Sequence, residues 1–426
     1  MKKNHIILFL VGGAIRFLLA TSKYATIIGN RVEVSTPLNS FKRLQEGIFL
    51  YRHGIDPYEG DMVHEVPLVL LALFEVLTNL PQLIPLLYTM LDLLTAFVLY
   101  KMSQQFVKLK LQQQKPEQES FAAGTEELQM HKSDFEELPK FVLIAYLFNP
   151  LSIVSCVGLT STVFSNLLLA LFFYTLSKHW LLPCLLCLAL ETLRNLYPMV
   201  LLAPVLLVFG CKSVFKSVSL VVLFGSICAG FCWMNYLIMK SWSFIDGTLG
   251  FIFFYRDLQP NIGLFWYFFT EMFDHFRTMF LITFQMNATV LYLIPLSLKL
   301  RKDPLMLATI LVALMSIFRS YPCLGDISFY LALLPLWRRC WKFMAHNFVV
   351  FCFFLITLSI MPALWHLWIY AGSANANFYF GATLAFSTGQ IFLVTDLLFA
   401  YVKREFCLQH GQKIFIDGRE AKIILQ

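Results

Sequence analysis

Eight apolar runs, each approaching the roughly 20 residues an α-helix needs to cross a bilayer, constrain this chain more than anything else in it. They lie near Ile6 to Leu19, Leu83 to Leu99, Val163 to Leu176, Ser219 to Met239, Met279 to Leu296, Leu305 to Phe318, Phe348 to Trp365 and Phe378 to Tyr401. Hydrocarbon offers no water to satisfy backbone groups, so each run must close its own helical hydrogen bonds. Shorter runs around Pro67, Pro183, Pro198 and Pro335 add further spans, because a helix packed among others tolerates a broken ladder. The expected fold is therefore all-α, a polytopic transmembrane helical bundle of about 12 spans, in a single membrane domain over residues 1–426. With 58% hydrophobic and only 14% charged residues, about half the usual charged share, a water-soluble fold is excluded. The net charge of +7 is scattered over short loops without a basic block, so the electrostatic footprint of nucleic-acid binding is missing.

The N-terminus, MKKNHIILFLVGGAIRFLLATS, has the basic start, apolar stretch and small residues of a signal sequence. Arg16 interrupts its apolar part, which favours an uncleaved anchor with Lys2 and Lys3 in the cytosol and the following loop lumenal. That loop, residues 21–65, mixes polar and apolar residues, and its stretch from Leu38 to Phe49 is expected to form a helix lying in the interface. Residues 108–140 include QQQKPEQESFAAGTEELQMHKSDFEELPK, expected as a flexible cytosolic linker because little apolar surface is available to order it. Residues 403–426 open with Lys403 and Arg404, end in AKIILQ, and are expected to be a cytosolic tail. The ten cysteines fall mostly inside apolar runs, where a cysteine behaves as a small hydrophobe. The CxxC pair Cys184 and Cys187 is read the same way.

Polar side chains inside apolar runs carry the functional signal, since each must be partnered or used. Asp92 has no partner visible in sequence, and a hydrogen bond to a neighbouring helix competes with a ligand contact. Glu191 and Arg194 are spaced i, i+3 and are expected to neutralise one another. In DLQPNIGLFWYFFTEMFDHF, Asp257 to Phe276, Pro260 and Gly263 mark a turn and Asn261 is placed to cap the next helix. Glu271, Asp274 and His275 follow at i, i+3 and i+4, on one face of that helix. A histidine and a carboxylate fall short of the three or four ligands a metal needs. No metal or cofactor is therefore expected, and the face reads as polar surface for a headgroup or a partner protein, with Trp266 and Tyr267 in the aromatic belt.

A second polar knot is ALWHLWIYAGSANANFYF, Ala363 to Phe380. Trp365 and Trp368 lie one turn apart with His366 beside them, and the helix should loosen at Ala371 to Ser373. Asn375 and Asn377 are then left at a helix start near a membrane surface. Their amides supply donors and acceptors that suit a sugar or phosphate headgroup. From the residues alone, caps and interface anchors without a ligand fit nearly as well.

The two knots, with RVEVSTPLNSFKRLQEGIFLYRHGIDPYEGDMVHEVPL (Arg31 to Leu68) and SYPCLGDISFYLALLP (Ser320 to Pro335), resemble the PIG-U (phosphatidylinositol glycan class U) family. The resemblance covers nearly the whole chain except residues 108–140. It implies a multi-spanning endoplasmic-reticulum membrane subunit of the glycosylphosphatidylinositol (GPI) transamidase. In that complex the nucleophile belongs to the protease-like PIG-K subunit, with PIG-T, PIG-S and the GPI-attachment subunit as further partners. The implied role is non-catalytic: binding the GPI lipid and presenting its ethanolamine-phosphate amine. Asn375, Asn377 and His366 would then line the headgroup side of a lipid groove, the helices around Trp266 and Phe268 would flank the acyl chains, Trp365, Trp368 and Asn261 would also bind GPI, and Glu271, Asp274 and His275 would meet a partner or the headgroup. The family is also similar to the lipid-linked mannosyltransferases of GT-C type, which makes a dolichol-phosphate-dependent mannosyltransferase of GPI assembly the competing function. Those enzymes need an acidic pair in the first lumenal loop. Here that place reads Arg31-Val32-Glu33-Val34, with a single carboxylate, and the pair Glu59 and Asp61 sits in a turn where such residues are common.

Overall fold

The computed structural model describes residues 3–210, 213–412, 415–416 and 419–420; Lys2 and the AKIILQ terminus lie outside them. Its principal helices are α1 (Lys3–Ala20), α2 (Phe41–Arg52), α3 (Pro67–Asn79), α4 (Ile84–Glu117), α5 (Asp134–Leu147), α6 (Pro150–Val157), α7 (Thr162–Ser177) and α8 (Leu181–Asn195). They continue as α9 (Val214–Met239), α10 (Phe265–Glu271), α11 (Asp274–Thr289), α12 (Pro304–Phe318), α13 (Leu324–Leu333), α14 (Asn347–Trp365) and α15 (Ala376–His410). Five helical segments are long and apolar enough to span by themselves, and α5 with α6 makes a sixth, bent by 49°. The bend follows from Asn149-Pro150: Pro150 opens α6 at its first position, and the Asn149 side chain accepts the Leu151 N–H at 3.0 Å. The expected count of about 12 is reached only by adding the six shorter apolar helices. One continuous core joins α4, α5, α7, α8, α12, α13 and α15. By contrast, α9, α11 and α14 leave most of their apolar residues uncovered, the condition of a helix solvated by lipid or by another membrane chain.

Two buried arginines organise the polar interior. Arg16, fully buried on α1, pairs through Nε with Asp92 of α4 and donates to the Leu147 carbonyl at 2.7 Å and Ser152 Oγ at 2.9 Å. The Tyr146 hydroxyl gives Asp92 a second hydrogen bond at 2.6 Å. The carboxylate left open in sequence is thus a structural partner that ties α1, α4, α5 and α6. Arg194 does the same on the other side. It grips Glu65 with Nε at 2.7 Å and Nη2 at 2.8 Å, and reaches Glu191 at 3.0 Å, Ser165 Oγ at 3.0 Å and the Ser161 carbonyl at 3.1 Å. The local pair expected between Glu191 and Arg194 exists, but Arg194 serves two acids. All five guanidinium N–H donors are engaged, as a buried charge requires.

The helix expected from Leu38 to Phe49 in segment 21–65 is α2, Phe41–Arg52. Its Leu44, Gly47 and Ile48 are buried, while Phe49 is exposed. A Cβ at Gly47 would meet Val63 at 2.9 Å, so glycine is what lets α2 lie down on the segment's own end. Arg43 then pins the segment to the 255–264 loop through Asp257 at 2.8 Å. Beside it His64 stacks on Phe251 at 3.5 Å, gives Nδ1–H to the Gly247 carbonyl at 2.8 Å, and faces Arg43 Nη1 with Nε2 at 3.1 Å. Burial pushes this imidazole down from 6.5 to about 4, with the Gly247 carbonyl opposing and the Arg43 charge adding to the shift. Its folded value lies below its unfolded one, so its contribution is fully present above pH 6.5 and fades as pH falls toward 4. The full swing is about 3 kcal/mol. We therefore expect the purified chain to lose thermal stability between pH 7 and pH 4.5, and His64→Gln to flatten that part of the melting curve against pH; an unchanged slope would remove His64 as its cause.

Residues 108–140 run through the end of α4, two short 3₁₀ turns and the start of α5. They are held by Arg338 on Glu137 at 2.9 Å, Arg339 on Asp134 at 2.6 Å and Lys342 on Glu127 at 3.0 Å. Arg404 also donates to the Leu128 carbonyl at 2.7 Å. Helix α15 passes Lys403 and Arg404 without a break and ends at His410. Cys184 and Cys187 are unbridged thiols, the first of them buried.

Candidate lipid-headgroup site

The two polar knots meet. Helix α14 ends in a single wide π turn, His366–Tyr370, and the chain reverses through Gly372 at φ +63°, a left-handed conformation that glycine adopts without strain. Asn375 then starts α15: its side-chain oxygen accepts the Asn377 N–H at 3.1 Å. This loosening and capping are what the sequence predicts.

Beneath them the aromatics of α10 form a floor. The Trp266 ring lies 6.0 Å from that of Trp368 and nearly parallel to it, and meets Phe380 edge-on at 5.8 Å. Tyr267 stacks on Phe380 at 4.5 Å, and its hydroxyl donates to the Asn377 side-chain oxygen. Trp365 packs edge-on against both Trp368 at 5.3 Å and Tyr379 at 5.2 Å. Trp365 and Trp368 are half-buried, whereas His366, Asn375 and Asn377 are exposed. His366 stacks on Tyr370 at 5.4 Å. Among the described residues, the side-chain N–H groups of Asn375 and Asn377 meet no protein acceptor.

One buried donor in the floor, Trp266 Nε1, has no hydrogen-bond partner among the described residues, and the Tyr379 hydroxyl meets only the Glu33 carboxylate, without good hydrogen-bond geometry. An unpartnered buried donor is uncommon and points to water or a ligand. The charged neighbours of Tyr379 are Glu33 and Arg31. That carboxylate is itself occupied, since Arg31 holds Glu33 in a two-pronged pair at 3.1 and 3.0 Å, with Glu33 buried. The Glu33 carbonyl accepts the Leu324 N–H at 2.9 Å, fixing the segment to α13. Glu59 and Asp61 stay in an exposed turn, with Arg256 at 3.6 Å from Asp61.

On its other side α10 faces a different environment. Phe268 packs on Phe284 at 4.8 Å and Phe280 at 5.3 Å. Phe284 and Phe265 in turn line an apolar cavity of about 380 Å³ bounded by Met286, Leu291 and Phe318. Asn261 does not cap α10. It is buried within its own turn, accepting the Gly263 N–H at 2.8 Å, and the helix begins later, after Leu264. Nor do Glu271, Asp274 and His275 share one helix. Met272 and Phe273 are extended, so Glu271 ends α10 while Asp274 and His275 open α11; all three are exposed.

Residues 10–386 match the family model of GPI transamidase subunit PIG-U. The chain belongs to the PIG-U family. It is 38% identical to the GPI-anchor transamidase component PIGU of Homo sapiens, across 99% of both chains. The component of the same name from Cricetulus griseus gives the same 38% over 99% of both. It is 29% identical to the GPI transamidase component GAB1 of Saccharomyces cerevisiae over 88% of each.

In this PIG-U chain the asparagines and tryptophans named from sequence come together in space, and Tyr267, Tyr379 and Phe380, which the sequence did not single out for this role, form the floor on which they rest. A tyrosine one turn into a helix started by an asparagine cap was the available signal. Glu65 and Arg31 were missed as well; Arg31 stood two residues from Glu33 and could have been paired with it.

Proposed function

We propose that this chain is a non-catalytic membrane subunit of the GPI transamidase that binds GPI and presents its ethanolamine-phosphate amine for attachment to the proprotein. The headgroup lies against Asn375, Asn377 and His366 above the Trp365, Trp368 and Trp266 rings. The acyl chains run toward Phe268 and the apolar cavity behind α10. The observation that carries this reading is the meeting of a polar helix start, whose amide donors have no acceptor among the described residues, and an aromatic floor that holds the unpartnered buried Trp266 Nε1. Aromatic faces and fixed amides are how a site takes up sugars and phosphates while excluding bulk water. A non-catalytic role is supported by Glu33, whose carboxylate is committed to Arg31 and is poorly placed to act as a base.

The partners are PIG-K, which carries the nucleophile, with PIG-T, PIG-S and the GPI-attachment subunit, in the endoplasmic-reticulum membrane. The uncovered faces of α9, α11 and α14 are where such partners or lipid would lie. Depleting the chain from cells should leave complete GPI accumulating beside uncleaved proprotein, read by lipid mass spectrometry and immunoblot. An under-mannosylated GPI intermediate would overturn the proposal in favour of a mannosyltransferase on a GT-C-like scaffold.

A further inference from the structure

The far end of the bundle carries a second polar groove. Between α4, α5 and α7 it encloses about 430 Å³ and is lined by Lys101, Gln104, Gln105, Lys108, Tyr174 and Lys178 over a base that includes Phe97 and Leu171. Among the described residues none of the three lysines has a carboxylate within ion-pair distance. Lys101 rests over the rings of Phe97 at 5.5 Å and Tyr100 at 6.0 Å, and Lys178 over Tyr174 at 5.7 Å. Gln105 is anchored to the Ser177 carbonyl at 3.3 Å, which ties the end of α7 to α4.

The groove continues a stripe. Met90, Leu94, Phe97, Lys101, Gln104 and Lys108 recur at the spacing of one helix face. The first three of them are exposed hydrophobics. One face of α4 therefore changes from apolar to cationic within about two turns, at the end where Tyr100 meets His5 of α1 and the chain leaves for residues 108–140. Helix α15 begins at Asn375 and, 35 residues later, ends where Leu408 accepts the Ala122 N–H of that same segment. The headgroup site thus lies at the start of α15 and the groove toward its other end, near the level where Lys110 of α4 and Tyr401 of α15 meet at Asp303.

We propose that this groove binds an anionic phospholipid of the leaflet on the 108–140 side. Its phosphate sits among Lys101, Lys108 and Lys178, its headgroup hydroxyls meet Gln104 and Gln105, and its acyl chains follow Phe97, Leu94 and Met90. Three ammonium groups without a carboxylate partner among the described residues, at the end of an exposed apolar stripe, are complementary to an anionic headgroup, and that stripe favours a lipid over a soluble anion.

The test is native mass spectrometry of the purified, delipidated complex containing the full chain. The complex is given 16:0/18:1 phosphatidylinositol or phosphatidylcholine with the same chains, and compared with the variant Lys101→Gln, Lys108→Gln, Lys178→Gln. Phosphatidylinositol should be retained in preference to phosphatidylcholine. The triple variant should lose it by roughly a hundredfold, about fivefold per lysine, while the corresponding Lys→Arg variant keeps it. Equal retention of the two lipids, or of phosphatidylinositol by wild type and triple variant, would overturn the proposal. So would displacement of the lipid by millimolar inorganic phosphate, which would mark a free-anion site.

Discussion

Replacing Arg194 by methionine is expected to remove most of the chain's stability, the largest single-residue effect in the molecule. Its side chain is 3% exposed and neutralises Glu65 and Glu191, themselves 6% and 2% exposed. Without it Glu65 and Glu191 lose the cation they share, leaving only the more distant Arg319 acting on Glu191, and removing one partner of a buried pair costs about 3–5 kcal/mol. Against a typical total of 5–15 kcal/mol, that is enough to prevent accumulation of folded protein. The loss should come from the stranded acids more than from the missing contacts. The triple exchange Arg194→Met, Glu65→Gln, Glu191→Gln should therefore recover at least half of it, since glutamine keeps an acceptor for Asn195 without a charge. The measurement is the denaturation midpoint and elution profile of the detergent-solubilised variants. A single variant within about 0.5 kcal/mol of wild type would show that the cluster contributes little.

The second large effect is on function. Asn375→Leu with Asn377→Leu removes the amide donors of the proposed headgroup site while leaving its aromatic floor. Hydrogen bonds to a charged group contribute about 1.5–3 kcal/mol each, so two correspond to a hundredfold or greater loss of GPI retention. Co-purified GPI and anchor attachment to a reporter proprotein should fall together in complexes that still assemble. Because Asn375 also caps α15, Asn375→Ser serves as a comparison that preserves the cap; it should restore the helix start without restoring full GPI retention. Normal GPI retention and attachment by the double leucine variant would dismiss the site.

What could be read from the sequence divides by range of interaction. The spans were legible because a run of apolar residues specifies its own helix. The reversal at Gly372 and Asn375 was legible because glycine and a capping asparagine act within a few residues. The Glu191 and Arg194 pair was visible for the same reason. Glu65, 129 residues from Arg194, was not, since only the packed bundle brings them together. The break between Glu271 and Asp274 was missed for a related reason: Met272 and Phe273 carry no helix-breaking signal, so tertiary contacts overrode local preference there. Asn261 shows the reverse error. Its turn chemistry was real, but the side chain satisfied its own loop instead of the following helix.

The pair formed by Arg16 and Asp92 constrains how the chain is made. Arg16 leaves the ribosome in α1, ahead of its partner, and a lone arginine opposes partition into lipid by up to about 3 kcal/mol. Its partner follows 76 residues later, a delay of roughly 4–15 s at ordinary rates of synthesis. Until then α1 lacks the carboxylate that makes hydrocarbon tolerable. It must wait at the insertion machinery, or with its guanidinium drawn up to the headgroups, until the helix bearing Asp92 arrives, so the two enter the bilayer as a unit.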